Sequence, residues 1–247
     1  MCGRYVNSSS SGVMAALFDA EDLVAGAWQP NFNIAPTVSA PVVRRSKSRG
    51  RAQPSDEAGA PGGRVVDMAR WGLVPPWASD PSIGNRMFNA RIETVSTSKA
   101  YRRPFAARRA LVPADGWYEW RKLPGGGKQP YFFTRPGGIA FAGLWESWKQ
   151  GETHMLSFTV LTCPALNEEF AAVHDRMPYV LPPERFAAWL GEEDAEEAEL
   201  LAGPHPGLAE EIEIRKVGRA VGRAGNNGPE LIRPVDAPEG PSALPGL

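Results

Sequence analysis

A cysteine stands at position 2 in "MCGRYV", directly behind the start methionine. Removal of Met1 would leave Cys2 with a free α-amine and a thiol on adjacent carbons. That 1,2-aminothiol can both condense with a carbonyl and close a ring on the product. Three further stretches carry groups that could serve such chemistry. "FNARIET" alternates Asn89, Arg91 and Glu93, which share one face if the stretch is a strand. That face lines either a pocket or an edge open to water. "DGWYEW" sets Glu119 between Tyr118 and Trp120. A carboxyl among aromatics has its charged form disfavoured, which moves it toward a useful acid–base range; the alternative is an ion-pair partner for an arginine. His174 lies in "FAAVHDRMPYVL" beside Asp175 and Arg176, as an acid–base group or as a structural histidine. Of the other histidines, His154 follows a charged turn and is expected to be exposed, and His205 falls in a surface turn. Three His and two Cys (Cys2 and Cys163) show no metal-ligand spacing, so no metal site and no cofactor are expected.

These groups need a scaffold, and the composition allows one. The chain has 247 residues, is 43% hydrophobic and 22% charged, and has a net charge of −1. These are ordinary globular values, enough for a substantial core and without a global pull toward nucleic acid or membrane. No apolar run is long enough to span a bilayer, and no export signal opens the chain. With two cysteines, a reducing cytoplasm is expected rather than a disulfide framework. The 24 Pro and 26 Gly suggest many turns.

Apolar spacing predicts a helix over 13–25 and an acidic-faced helix over 183–201. The runs "RALVPADGWYEW", "QPYFFTR", "IAFAGLWESW" and "HMLSFTVLTC" predict strands. Residues 46–63 are Gly/Pro/Ser-rich and read as a flexible insertion lengthening a hairpin. The last residues, 236–247, read as a frayed tail. The expected fold is one α+β domain over 1–235 with a mostly antiparallel sheet core. Positive charge clusters in "RRSKSRGR" within the insertion and in "YRRPFAARR" at 101–109, where interleaved aromatics match single-stranded nucleic acid.

Eight fragments occur in order: "MCGRY", "NIAPT", "RWGLVPPWA", "FNARIET", "ALVPADGWYEW", "FAGLWESW", "HDRMPYVL" and "NNGPELIRPV". Together they resemble the SRAP (SOS response-associated peptidase) family of abasic-site sensors. Ala110 departs from the cysteine often expected there, at no cost to the chemistry. The resemblance implies a curved, barrel-like sheet core with flanking helices, and Cys2, Asn89, Glu119 and His174 as catalytic residues. It implies Arg4, Pro36, Trp71, Arg91, Trp120 and Arg176 along a DNA groove. It further implies that the amine of Cys2 condenses with an abasic-site aldehyde and its thiol closes a thiazolidine crosslink. The implied partner is single-stranded DNA with abasic sites, bound by a monomer in the cytoplasm and at the nucleoid; replication-fork proteins are further candidates. Two other classes stay open. One is an N-terminal-nucleophile hydrolase, including a peptidase limited to its own Met1. The other is a noncatalytic single-strand-binding module.

Overall fold

A computed structural model describes residues 2–46 and 63–235. The tail from 236 and all of the 46–63 insertion except Ser46 and Gly63 lie outside the described residues. Among the described residues no helix is long and apolar enough to cross a membrane.

Among the described residues twelve strands form one sheet: β1 Tyr5–Asn7, β2 Ala20–Asp22, β3 Asn31–Ile34, β4 Ser39–Arg45, β5 Arg64–Trp71, β6 Asn89–Arg91, β7 Arg109–Lys122, β8 Lys128–Gln150, β9 Thr153–Pro164, β10 Arg176–Pro178, β11 Val180–Leu181 and β12 Glu213–Lys216. The pairings β8–β9–β5–β4–β7 return to β8, so five strands close a ring. Closure leaves those strands without a free edge. Short α-helices flank the ring, six among the described residues: α1 Ser11–Leu17, α2 Arg102–Ala107, α3 Glu168–Val173, α4 Phe186–Leu190, α5 Glu197–Leu200 and α6 Leu208–Glu211. The expected barrel-like α+β fold is what forms.

β4 and β5 pair as the expected hairpin, from Ser39↔Arg70 to Arg45↔Arg64, and Ser46 N donates to Gly63 O at 2.9 Å. The runs at 129–135 and 139–148 are one strand, β8, rather than two. Both predicted helices are cut short. α1 starts on the Ser10 cap and stops at Leu17, because Asp19 turns left-handed (φ 49°) and the chain re-enters the sheet as β2 beside β5. The 183–201 helix breaks at Gly191 (φ 75°), whose N–H closes on Ala188 O at 3.1 Å.

Apolar alternation gives β7 two loaded faces. Trp117 joins the main core, stacked at 4.8 Å on Phe133. Tyr118 joins a second cluster with Val6, Phe132, Val217, Val221 and Leu231, against which Trp120 packs. The C-terminal segment covers that second cluster, and a buried Asn33 ties it down. Asn33 Nδ2 donates to Arg223 O and Asn226 O, each at 2.9 Å, and to Val221 O at 3.3 Å. Asn227 Oδ1 accepts from Phe32 N at 2.8 Å. The "NIAPT" and "NNGPELI" fragments are thus two halves of one clasp.

A candidate abasic-site pocket at the chain start

Cys2 is buried in the main core beside Tyr5. Its carbonyl accepts a 2.6 Å hydrogen bond from Asn89 Nδ2. Asn89 opens β6, which pairs in parallel with β9 (Asn89↔Val160). The Tyr101 hydroxyl donates to Asn89 O at 3.2 Å, so β6 is held from both sides. Asn89 Oδ1 is buried with no hydrogen-bond partner among the described residues. It is a buried acceptor without a donor, on the same amide whose Nδ2 holds the Cys2 carbonyl.

Glu119 comes in on the inner face of β7, two residues after Trp117, and is 3% exposed. Burial pushes its carboxyl up to about 7. Burial also pushes the Cys2 thiol far above its usual range, and the Glu119 charge pushes it further. The resting sulfur is therefore a thiol, and it needs a base to become a nucleophile. Glu119 is half-ionised near neutral pH and electrostatically coupled to it.

His174 caps the C-terminus of α3, its N–H bonded to Phe170 O at 2.9 Å. Its Nδ1 accepts from Arg176 N at 3.0 Å, which puts the proton of the neutral ring on Nε2. Burial holds its pKa below the ordinary imidazole value. The Asp175 charge raises both His174 and Glu119, so both lie within its electrostatic reach.

The groove residues fare differently. Arg91 is exposed and makes no ion pair among the described residues. Pro36 is half-buried in a turn closed by Val38 N on Ala35 O at 3.2 Å, with Thr37 left-handed (φ 78°). For a β-branched residue that conformation is strained. Thr37 N donates to Trp71 O at 2.7 Å, which anchors the turn to β5. Arg4 Nη1 donates to Asn33 Oδ1 at 2.7 Å and to Val221 O at 2.9 Å, with its guanidinium 5.9 Å from the Trp120 ring centre. Arg176 is forked on Glu93 at 2.7 and 3.0 Å and also donates to Thr162 O. Trp120 is half-buried over Arg4. Trp71 differs from the expectation of a groove residue. It is 0% exposed, packed by Tyr5, Phe88 and Phe158, with Nε1 on Phe88 O at 2.8 Å. As it stands it has no open face for a base.

The exposed tryptophan of that fragment is Trp77, at 64%. It borders a groove of about 410 Å³ together with Lys99, Arg102, Arg103 and Arg108. Arg108 pairs with Glu146 at 2.9 Å. The basic run at 101–109 signalled this surface, but nothing in it signalled Trp77. Gly72 and Gly84 set the intervening loop: a Cβ on either would lie 2.4–2.5 Å from the other's carbonyl oxygen. A larger cavity of about 610 Å³ between α1 and the β7–β8 bend contains none of the ten candidate residues.

A clamped cysteine at position 2, a buried carboxyl poised near neutrality and a histidine at a helix end, on a closed and mostly antiparallel ring, together define a class. Residues 1–224 match the family described as SOS response associated peptidase (SRAP), and the chain belongs to that family. It is 32% identical over 235 residues to the abasic site processing protein YoqW of Bacillus subtilis, covering 94% of this chain and 99% of that one. It is 35% identical over 173 residues to YedK of Escherichia coli, covering 69% and 75%. Its fold matches a solved protein of Bacteroides thetaiotaomicron, with a TM-score of 0.79 at 19% identity over 95% of this chain and all of that one.

Proposed function

We propose that this protein recognises abasic sites in single-stranded DNA and, once Met1 is removed, captures them covalently through Cys2. The observation that carries the reading is the clamp of Asn89 on the Cys2 carbonyl at 2.6 Å beside a buried Glu119 carboxyl at about 7. Relatives covering nearly the whole chain are named abasic site processing proteins, which supports the substrate class.

An abasic sugar opens to an aldehyde. A chain-terminal α-amine has an ordinary pKa of about 7.7–8.0, so part of it is neutral and nucleophilic at pH 7. It adds to the aldehyde carbon, and loss of water leaves an imine. The Cys2 sulfur then adds to the imine carbon, and its proton ends on the ring nitrogen. The product is a five-membered thiazolidine. Having amine and thiol on one residue makes closure intramolecular, an advantage of up to about 7–11 kcal/mol. Glu119 accepts the thiol proton and returns it to nitrogen. Asn89 Oδ1 receives the new α-amine. His174 acts on the sugar hydroxyl or ring oxygen. Arg91 takes a flanking phosphate, as do Arg4 and Arg176 where they exchange internal partners for DNA. Trp77, Trp120 and Pro36 border the strand. The same residues would carry lyase reversal and removal of the protein's own Met1, with the protein acting as a monomer.

The test is incubation of the mature protein with a single strand carrying one abasic site, followed by denaturing electrophoresis. A denaturation-resistant adduct is expected from the parent. None is expected from Cys2→Ala or from protein with an uncleaved tag ahead of Met1. A tagged protein that crosslinks at full yield refutes the mechanism.

A further inference from the structure

His174 Nδ1 has two partners that it cannot serve at once. The amide of Arg176 points its N–H at this nitrogen from 3.0 Å, which requires a lone pair there. The Asp175 carboxylate sets Oδ1 2.9 Å from the same atom, which requires a proton there. In the neutral ring described above Nδ1 accepts, and Nε2 carries the hydrogen. That form offers Nε2 only as a hydrogen-bond donor. To take a proton at Nε2, the ring must first hold its hydrogen on Nδ1. To give one up readily it must be doubly protonated, again with a hydrogen on Nδ1. Both working forms therefore need an acceptor at Nδ1, and the Arg176 amide cannot be one.

We propose that Asp175 is the positioning residue that captures Nδ1–H of His174, converting it from a fixed donor into the pocket's acid–base group. The proton balance is simple. Tautomerisation through water moves one hydrogen from Nε2 to Nδ1, where Asp175 Oδ1 accepts a hydrogen bond from it. Nε2 then takes a proton from the substrate, giving an imidazolium held at Nδ1 by Asp175, and later returns it. The amide of Arg176 is released meanwhile. Each turnover thus loosens the start of β10, whose Arg176 side chain is forked on Glu93. The other charged groups acting on this histidine are the chain's α-amine and Arg176 itself, both of which lower it. Asp175 Oδ1, at 2.9 Å from Nδ1, is the acceptor already in place.

Asp175 is 86% exposed on its side chain, so Asp175→Asn and Asp175→Ala are not expected to disturb folding. With only three histidines in the chain, ring ¹⁵N and ¹H resonances of His174 are assignable by comparison with His174→Ala. Both Asp175 variants should lower the His174 protonation midpoint by about 0.3–0.7 pH unit, the range set by an exposed ion pair. In Asp175→Asn the Nε2–H tautomer should gain population. The kinetic arm rests on the proposed abasic-site chemistry. Single-turnover adduct formation should slow about tenfold, with its acidic limb displaced by the same amount. Affinity for an intact strand should hold or rise, since a negative charge is lost. In a His174→Ala background Asp175→Asn should add nothing. A His174 midpoint and tautomer unchanged in both variants overturn the proposal. If the parent forms no adduct, the abasic-site reading fails, and the titration alone still decides whether Asp175 holds Nδ1–H.

Discussion

Glu119 sits where a carboxylate is costly, on the inner face of β7 and almost without solvent. An unfolded glutamate titrates near 4.5, and burial brings this one to about 7. The folded chain thus binds the proton more tightly than the unfolded chain. Its stabilising contribution is complete below about 4.5 and is lost as pH rises through about 7. The difference is on the order of 3 kcal/mol. Glu119→Gln, which keeps the neutral shape, should match the parent at pH 5 and exceed it in denaturant midpoint at pH 8. Parallel pH dependences in the two proteins would show that the carboxyl is not held neutral by burial. The same substitution should slow adduct formation by roughly 10²–10⁴-fold, the usual share of general acid–base catalysis.

The β3 strand and the C-terminal segment depend on each other. Asn33 is 2% exposed and saturates four partners: it accepts from Arg4 and donates to three carbonyls of residues 221–226. Asn33→Ala would strand the carbonyls of Arg223 and Asn226 and one guanidinium hydrogen with little room for water, while Val221 O keeps its bond from Arg4 Nη1. A loss of about 2–4 kcal/mol is expected, the range for breaking a buried polar network. Arg4 would also be loosened over Trp120. Amide exchange should show residues 217–235 opening below the global unfolding free energy. Unchanged exchange across that segment would mean the clasp is ornamental.

Across the whole molecule the net charge is −1, so any attraction for DNA must be local. Positive charge gathers in the groove lined by Trp77, Lys99, Arg102 and Arg103, the surface we propose for it. Lys99→Ala should flatten the log–log salt slope of single-strand binding by about 0.7, because one phosphate fewer is neutralised. Trp77→Ala should cost about 1–3 kcal/mol and leave that slope alone, as expected of a stacking surface. Filter binding across ionic strength separates the two. Duplex bound as tightly as single strand would remove the need for an unstacked base at Trp77.

The order of eight fragments, the strand pattern and the chemical types of Cys2, Glu119 and His174 were all readable along the chain, because they depend on residue identity and local period. The ring closure of β7 on β8 was not, since it pairs residues such as Arg109 and Leu144 across a long separation. Helix ends were misread for a related reason: Asp19 and Gly191 turn left-handed to return the chain to the sheet, which apolar spacing does not record. Trp71 and Trp77 look alike in sequence, six residues apart. Only packing sends the first into the core beside Tyr5 and leaves the second open above a basic groove. Likewise, the types of Arg4, Arg91 and Arg176 say nothing of their partners. The fold commits Arg4 to Asn33 and Arg176 to Glu93, and it leaves Arg91 in solvent, because proximity across strands, rather than sequence spacing, sets which charges meet.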